Sequence, residues 1–478
     1  MIKYMSISSK AKNKEKILKD LEKIVGEENI VYTDEDLFVY SYDAYSDPFL
    51  DNEISTSRAD VVVRVEDKKQ VSEIVKYANE NKIPIIPRGA GSGLSGGVIP
   101  LRGGIVIDLK PMNKVLDLRI EDLQVTVQPG IVKTNLNVFL KPYGFFFPPD
   151  PASEDFCTIG GMIANNAGGL RAVKYGVTKD YVLSLEVVLP NGKIIKTGAK
   201  TLKYSIGYDL TKLFVGSEGT LGVITEATLK IVPLPPHRAV VLAQYDSMET
   251  AMNVVIAIMR SGVIPTSLEF LDEYTIQGIN LWKNTGLLEK PTLFVELDGT
   301  EKEVFSKMEI VTKTCKMFNP ITIEWSDEPE TVEKLWSIRK NVGVILRLKK
   351  EWARLFSGED IVVPLSKIPM IVKKYQEISK KYNVHISCIG HAGDGNIHAT
   401  LYYDIREKEK MFPIIKEKLV DEIHRLAIEV GGAIAGEHGI GLARKKWMRE
   451  QHGESLEIMR AIKKILDPND IMNPGKIF

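Results

Sequence analysis

Three glycine-dense stretches limit what this chain can fold into. The first, PRGAGSGLSGG at 87–97, packs five glycines, two serines and an arginine into eleven residues. It holds GxGxxG at Gly91, Gly93 and Gly96, but a Rossmann fingerprint needs such glycines to open a helix. Gly97, Pro100, Gly103 and Gly104 follow instead, so no helix is expected and the Rossmann reading is rejected. Glycines at this density expose consecutive backbone N–H groups to an anion, and a diphosphate suits that need. A plain flexible loop is the alternative; the folding entropy lost by so many glycines argues against it. The second stretch, PPDPASEDFCTIGGMIANNAGGLRAVKYG, covers 148–176, and the third, VGSEGTLGVIT, covers 215–225.

The segments between them read as an α+β scaffold. VVVRV (61–65), IPIIP (83–87) and IVIDL (105–109) are strand-like. KKQVSEIVKYANENK (68–82) places Val71, Ile74, Val75 and Ala78 at helical spacing. SLEVVLP (184–190), an Asn191-Gly192 turn and KIIKTG (193–198) read as a hairpin. Three glycine loops on one scaffold suggest a long, polyanionic cofactor bound along backbone. The expected division is an N-terminal helical segment (1–54), a cofactor domain (55–236), an α+β cap (237–430) carrying a long helical stretch at about 327–350, and a C-terminal segment (431–478).

Composition narrows the partners. Lys+Arg and Asp+Glu both number 63, which gives no basic surplus for nucleic acid. Cys157, Cys315 and Cys388 are far apart and form no CxxC pair, so neither an iron–sulfur cluster nor a zinc ribbon is expected. Buried free thiols in a reducing compartment are. The N-terminal twenty residues lack an apolar segment, and no run of about 18 apolar residues occurs. The expectation is a soluble, cytoplasmic protein, with a peripheral place at a membrane left open.

The chain has seven histidines, and GHAGDGNIH (390–398) sets two of them around a tight turn. With GDGN (393–396) as the hairpin loop, His391 faces His398, with Cβ atoms about 4.5–5.5 Å apart. One face then carries His385, Ser387, His391, His398, Thr400 and Tyr402; the other carries Ile386, Cys388, Ile397, Ala399 and Leu401. AGEHGIG (435–441) adds Glu437 and His438 in a glycine-framed loop. A His₂Glu set with open positions suits a catalytic divalent ion, and a neighbouring histidine can act as a base. Asp394, between glycines, reads as a turn residue.

Taken in order, these motifs resemble the FAD-linked oxidases of the vanillyl-alcohol oxidase superfamily, in the D-2-hydroxyacid dehydrogenase branch. The resemblance runs from about residue 35 to the C-terminal DPNDIMNPGKIF (467–478). It implies an FAD domain of the PCMH type, a cap, and a tail returning to the flavin domain. It places FAD on Pro87, Arg88, Gly89, Ala90, Gly91, Ser92, Gly93, Ser95 and Gly96. It adds Pro149, Asp150, Ser153, Thr158, Gly160, Gly161, Asn165, Gly168 and Gly169, then Glu218, Gly219, Gly222, Val223 and Ile224, and Asn473 of the tail. The first loop has no histidine, so the FAD is expected to be noncovalent. His391, His398 and Glu437 would ligate a divalent metal (Zn, Mn or Fe), His438 would be the base, Asn396 would contact substrate, and Arg339 would hold its carboxylate. RLFSGEDIVVP (354–364) lacks a clear lysine of the kind that 2-hydroxyglutarate enzymes use, which favours D-lactate or glycolate.

The implied reaction is oxidation of a D-2-hydroxy acid to the 2-oxo acid, hydride going to FAD and the proton to His438. Electrons would leave to a quinone, a cytochrome, an electron-transfer flavoprotein or an iron–sulfur subunit. Two alternatives stand beside it: a non-redox flavoenzyme like alkylglycerone-phosphate synthase, and a flavin subunit inactive without its complex.

Overall fold

A computed structural model describes residues 15–45, 52–282, 285–340, 352–355 and 360–478. The 341–350 part of the expected helical stretch, and 356–359 of the segment read for a lysine, lie outside the described residues. A four-stranded sheet runs Ile30–Val31, Val61–Arg64, Ile105–Asp108, Ile85–Arg88. Its last three strands are parallel. Helix Lys68–Asn81 covers it with Val71, Ile74, Val75 and Ala78 buried, as the spacing predicts, and is capped by Asp67. After Ile85–Arg88 the chain forms no helix through the whole of 89–104, which agrees with rejecting a Rossmann unit.

A second sheet runs Val115–Arg119, Gln124–Val127, Val223–Lys230, Val182–Val188, Ile194–Gly198. The third glycine stretch is loop through 215–222, and its last three residues, from Val223, begin a strand. The largest sheet begins with His237–Gln244. In space it runs Thr322–Ser326, His237–Gln244, Thr292–Gly299, Ser267–Leu271, His385–His391, Asn396–Asp404, Trp352–Leu355, with Ile361–Val362 also pairing Asn396–Asp404. Helices Met248–Arg260, Glu301–Lys316 and Ile368–Tyr382 bury their apolar faces against it.

The tail returns to the first sheet. Met472 bridges Ile85 in parallel, and Asn473 Nδ2 donates to Gly97 O and Glu218 O at 2.8 and 2.7 Å. All three cysteines are buried and unbonded. Among the described residues no helix is long and apolar enough to cross a membrane.

The histidine hairpin corrects the expected register. His391 pairs with Asn396, and His398 pairs with Ile389; the loop is 392–395. The slip moves the pairing by two, so the predicted faces survive. Two neighbours fix the turn: Gly393 N donates to Leu268 O and Val363 N to Gly395 O. Asp394 has the turn role expected of it, accepting from Asn396 N at 3.2 Å.

Candidate active site

One cavity of about 510 Å³ lies between the glycine loops and the cap sheet. The wall on this side is made by residues 87–95 and Gly97, by Ser153, and by Glu218, Gly219, Gly222 and strand residue Ile224. Thr158, Gly160, Gly161 and Asn165 complete it; they belong to the short helix Ile159–Asn165 and its Thr158 cap, where the second glycine stretch reads as loop. Backbone freedom matters at two of these. Gly91 has φ +70°, and a Cβ there would collide with the Arg88 guanidinium. Gly219 has φ +71° with its Cβ direction 3.2 Å from the Pro87 ring, so the first and third loops meet without a side chain between them. The result is a long cradle, glycine-rich along the first and third stretches, that fits an extended dinucleotide.

Other residues expected at the cofactor stand behind this wall. Val223 is fully buried in the core while Ile224 faces the cavity, as strand alternation requires. Gly96, at φ +73°, packs on Leu442 and Tyr45. Asp150 accepts Arg171 N at 3.0 Å, beside buried Pro149 and Gly169. Gly168 abuts Glu437, and Asn473 ties the tail to the loops. Glu218 lines the cavity, but its carboxylate accepts Ile440 N and Gly441 N at 2.6 and 2.7 Å. It thereby docks the GEHGIG loop against the third glycine stretch.

The opposite wall carries Arg339, His391, His398, Glu437 and His438. Although His391 and His398 are diagonal neighbours, their ring centroids are 5.1 Å apart. Their Nε2 atoms lie 3.4 and 3.5 Å from Glu437 Oε1, and the donor atoms of all three fall within 4.8 Å of one another. Glu437 Oε2 is buried without a hydrogen-bond partner. A second set, Asp360, His398 and His438, is equally close. Asp360, however, already accepts His438 N (2.8 Å), Glu437 N (3.1 Å) and Asn396 Nδ2 (3.0 Å). Each set has one buried atom without a partner, Glu437 Oε2 in the first and His438 Nδ1 in the second, so it is the commitment of Asp360 to three donors that leaves His391, His398 and Glu437 as the set that fits a divalent cation.

Electrostatics set protonation here. Burial acts against charge on His391, but the Glu269 carboxylate outweighs it and holds the pKa well above the usual imidazole range. Burial and the His391 charge push His398 down to about 4. Burial raises Glu437, yet His391, His438 and His398 together hold it below the ordinary carboxylate range. A cation at this point would replace the His391 proton, the neutral imidazole being the ligating form.

His438 stacks on His398 at 5.3 Å between centroids. Its Nδ1 is 3.7 Å from Asp360 Oδ2 and its Nε2 is 3.7 Å from Glu437 Oε1. Asn396 gives its amide to Asp360 and to Ile361 O, both at 3.0 Å, so it braces the loop from beneath. Arg339, on helix Pro329–Lys340, is buried against Glu269.

Three residues here were not singled out from sequence: Asp360, Glu269 and Arg444. Arg444 is fully buried below the GEHGIG loop and donates to Gly439 O at 3.2 Å. Glu269 had a readable signal, a carboxylate inside the apolar run SLEFL (267–271).

Comparison with known proteins fits this geometry. Residues 59–198 match the FAD binding domain model, and 234–477 match the C-terminal domain model of FAD linked oxidases. The chain is 40% identical to glycolate oxidase subunit GlcD of Bacillus subtilis over 97% of its own length and 96% of that protein. It is 39% identical to the mitochondrial D-lactate dehydrogenase [cytochrome] of Arabidopsis thaliana, covering 87% of this chain and 73% of that one. Among solved structures, p-cresol methylhydroxylase superposes with a TM-score of 0.80 at 18% identity, covering 97% and 96% of the two chains, a likeness of fold. The chain belongs to the FAD-linked oxidase family and is an FAD-linked oxidoreductase related to glycolate oxidase GlcD subunits and D-lactate dehydrogenases.

Proposed function

We propose that the chain oxidises a small D-2-hydroxy acid, D-lactate or glycolate, to the 2-oxo acid and passes the electrons to an external acceptor. The observation that carries this reading is one cavity with a glycine-walled dinucleotide cradle on one side and Arg339, His391, His398, Glu437 and His438 on the other. The names of the relatives support the substrate class.

FAD, when bound, supplies the acceptor for a hydride from the substrate's α-carbon. A divalent ion, when bound, supplies Lewis acidity toward the hydroxyl oxygen; His391, His398 and Glu437 would hold it. Arg339 pairs with the substrate carboxylate, a charge-assisted contact that fixes the α-carbon's direction. His438 takes the hydroxyl proton at Nε2, with Nδ1 turned toward Asp360. General-base help of this kind is typically worth about 10²–10⁴-fold. The glycine loops exclude water from the flavin face.

The test is rapid mixing of the anaerobic, flavin-loaded protein with D- and L-2-hydroxy acids. Flavin bleaching by D-lactate or glycolate in the native chain, slowed at least a hundredfold in His438→Gln, is expected. Full-rate bleaching in His438→Gln refutes the base assignment. No bleaching by any hydroxy acid refutes the substrate class.

A further inference from the structure

Glu269 is a carboxylate in a strand where every residue is buried. Strand Ser267–Leu271 lies between Thr292–Gly299 and His385–His391, and Glu269 sits directly opposite His391 in the register. Its oxygens meet His391 Nδ1 at 2.8 and 2.9 Å. They also accept Arg339 Nε at 2.9 Å and Nη2 at 2.6 Å, and Ser267 Oγ at 3.3 Å. Glu269 does not line the cavity, whereas His391 and Arg339 both do. A buried carboxylate is costly unless its partners require it, and here each partner belongs to a different half of the site. The partner of one ring nitrogen decides which nitrogen of a histidine is left to ligate. A carboxylate on one edge of a guanidinium fixes the plane of the other edge.

We propose that Glu269 is a positioning residue that couples the metal half of the site to the carboxylate-binding half. It holds His391 Nδ1–H, so that Nε2 faces His398 and Glu437. The same carboxylate anchors Arg339 through Nε and Nη2, which leaves the Nη1 edge for the substrate. This inference rests on the metal and arginine roles given above.

The test measures Mn²⁺ binding to the flavin-loaded protein by the electron paramagnetic resonance signal of the free ion, together with kcat and KM for D-lactate. In Glu269→Gln, one edge of the carboxylate becomes a donor and cannot serve both partners. Mn²⁺ affinity is expected to fall about 10–100-fold and KM to rise in the same variant, with flavin content unchanged. Arg339→Met removes a positive charge and leaves Glu269 wholly to His391, so Mn²⁺ affinity is expected to rise severalfold. Opposite signs in the two variants mark coupling; equal weakening in both marks loosened packing and overturns the proposal. Should Glu269→Gln lose its flavin, Glu269→Asp is read instead, with Mn²⁺ affinity between native and the Gln expectation. A native chain that binds Mn²⁺ and a Glu269→Gln chain that binds it equally well overturn the coupling alone. A native chain that binds no Mn²⁺ overturns the metal reading together with it.

Discussion

Asp360→Asn isolates what holds the GEHGIG loop in place. Asp360 is fully buried. Its Oδ2 accepts His438 N and Glu437 N at 2.8 and 3.1 Å, and its Oδ1 accepts Asn396 Nδ2 at 3.0 Å. His438, Arg444 and His398 overcome the effect of burial and hold its pKa below the ordinary carboxylate range, so it is an anion at neutral pH. The best-fitting asparagine keeps an oxygen at the Oδ2 position and turns its NH₂ toward Asn396 Nδ2. That makes two donors face each other, and Asn396 is already bonded to Ile361 O. Two backbone bonds weaken from charged to neutral acceptors, roughly 1 kcal/mol each, and one buried donor loses its acceptor, about 1–3 kcal/mol. Relief from burying a charge offsets part of this, leaving a destabilisation of about 3 kcal/mol. For a cooperative unit the size of the cap, that is a fall in Tm of roughly 6–12 °C. Activity should fall further than stability, because His438 Nδ1 then faces a neutral amide; kcat is expected to drop about 10²-fold, within the range of general-base effects. Differential scanning fluorimetry and anaerobic flavin reduction read the two effects. A variant with native Tm and native kcat shows that Asp360 neither anchors the loop nor orients the base.

Three further outcomes follow from the same geometry. Gly219→Ala forces a side chain into φ +71° against Pro87 and should lower flavin occupancy of purified protein while leaving the cap's Tm unchanged. Arg339→Lys keeps a charge but loses the two-point hold on Glu269; KM for the hydroxy acid should rise about tenfold or more, with a smaller change in kcat. His424 stacks on Trp447 at 3.9 Å, and burial with the Arg444 charge pushes its pKa down to about 3. The unfolded chain protonates this group near its ordinary value of about 6.5 and the folded chain does not, so its share of stability is lost as pH falls from 6.5 toward 3, at about 1.4 kcal/mol per pH unit. His424→Phe keeps the stack and removes that slope, so the Tm of the native chain should fall relative to that of the variant between pH 7.5 and pH 5.

Much of this site is legible in the chain because glycine has few uses. Where Gly91, Gly96 and Gly219 need positive φ or close backbone approach, the sequence has little choice, and the cradle can be read from their clustering. The histidine faces are legible for a similar reason: strand alternation holds even when the register slips by two. The register itself is set by partners distant in sequence. Gly395, at φ +85°, receives Val363 N at its carbonyl, and nothing in GHAGDGNIH announces that neighbour. Asp360 is opaque for the same cause: it follows Glu359 at the edge of the apolar IVV run and acquires meaning only when His438 N, Glu437 N and Asn396 Nδ2 are brought to it. Glu269 shows as an acid inside SLEFL, but nothing near it in sequence announces His391 and Arg339 as its partners. Asn396 was expected at the substrate; its amide is committed to Asp360 because the loop below needs bracing there.

The most direct measurement is flavin reduction by D-lactate and L-lactate in the anaerobic, FAD-loaded protein, before and after a chelator and again after a divalent ion is restored. Bleaching by the D acid alone, abolished by the chelator and returned by the ion, is the predicted result. Bleaching that survives complete removal of the ion contradicts the role given to His391, His398 and Glu437.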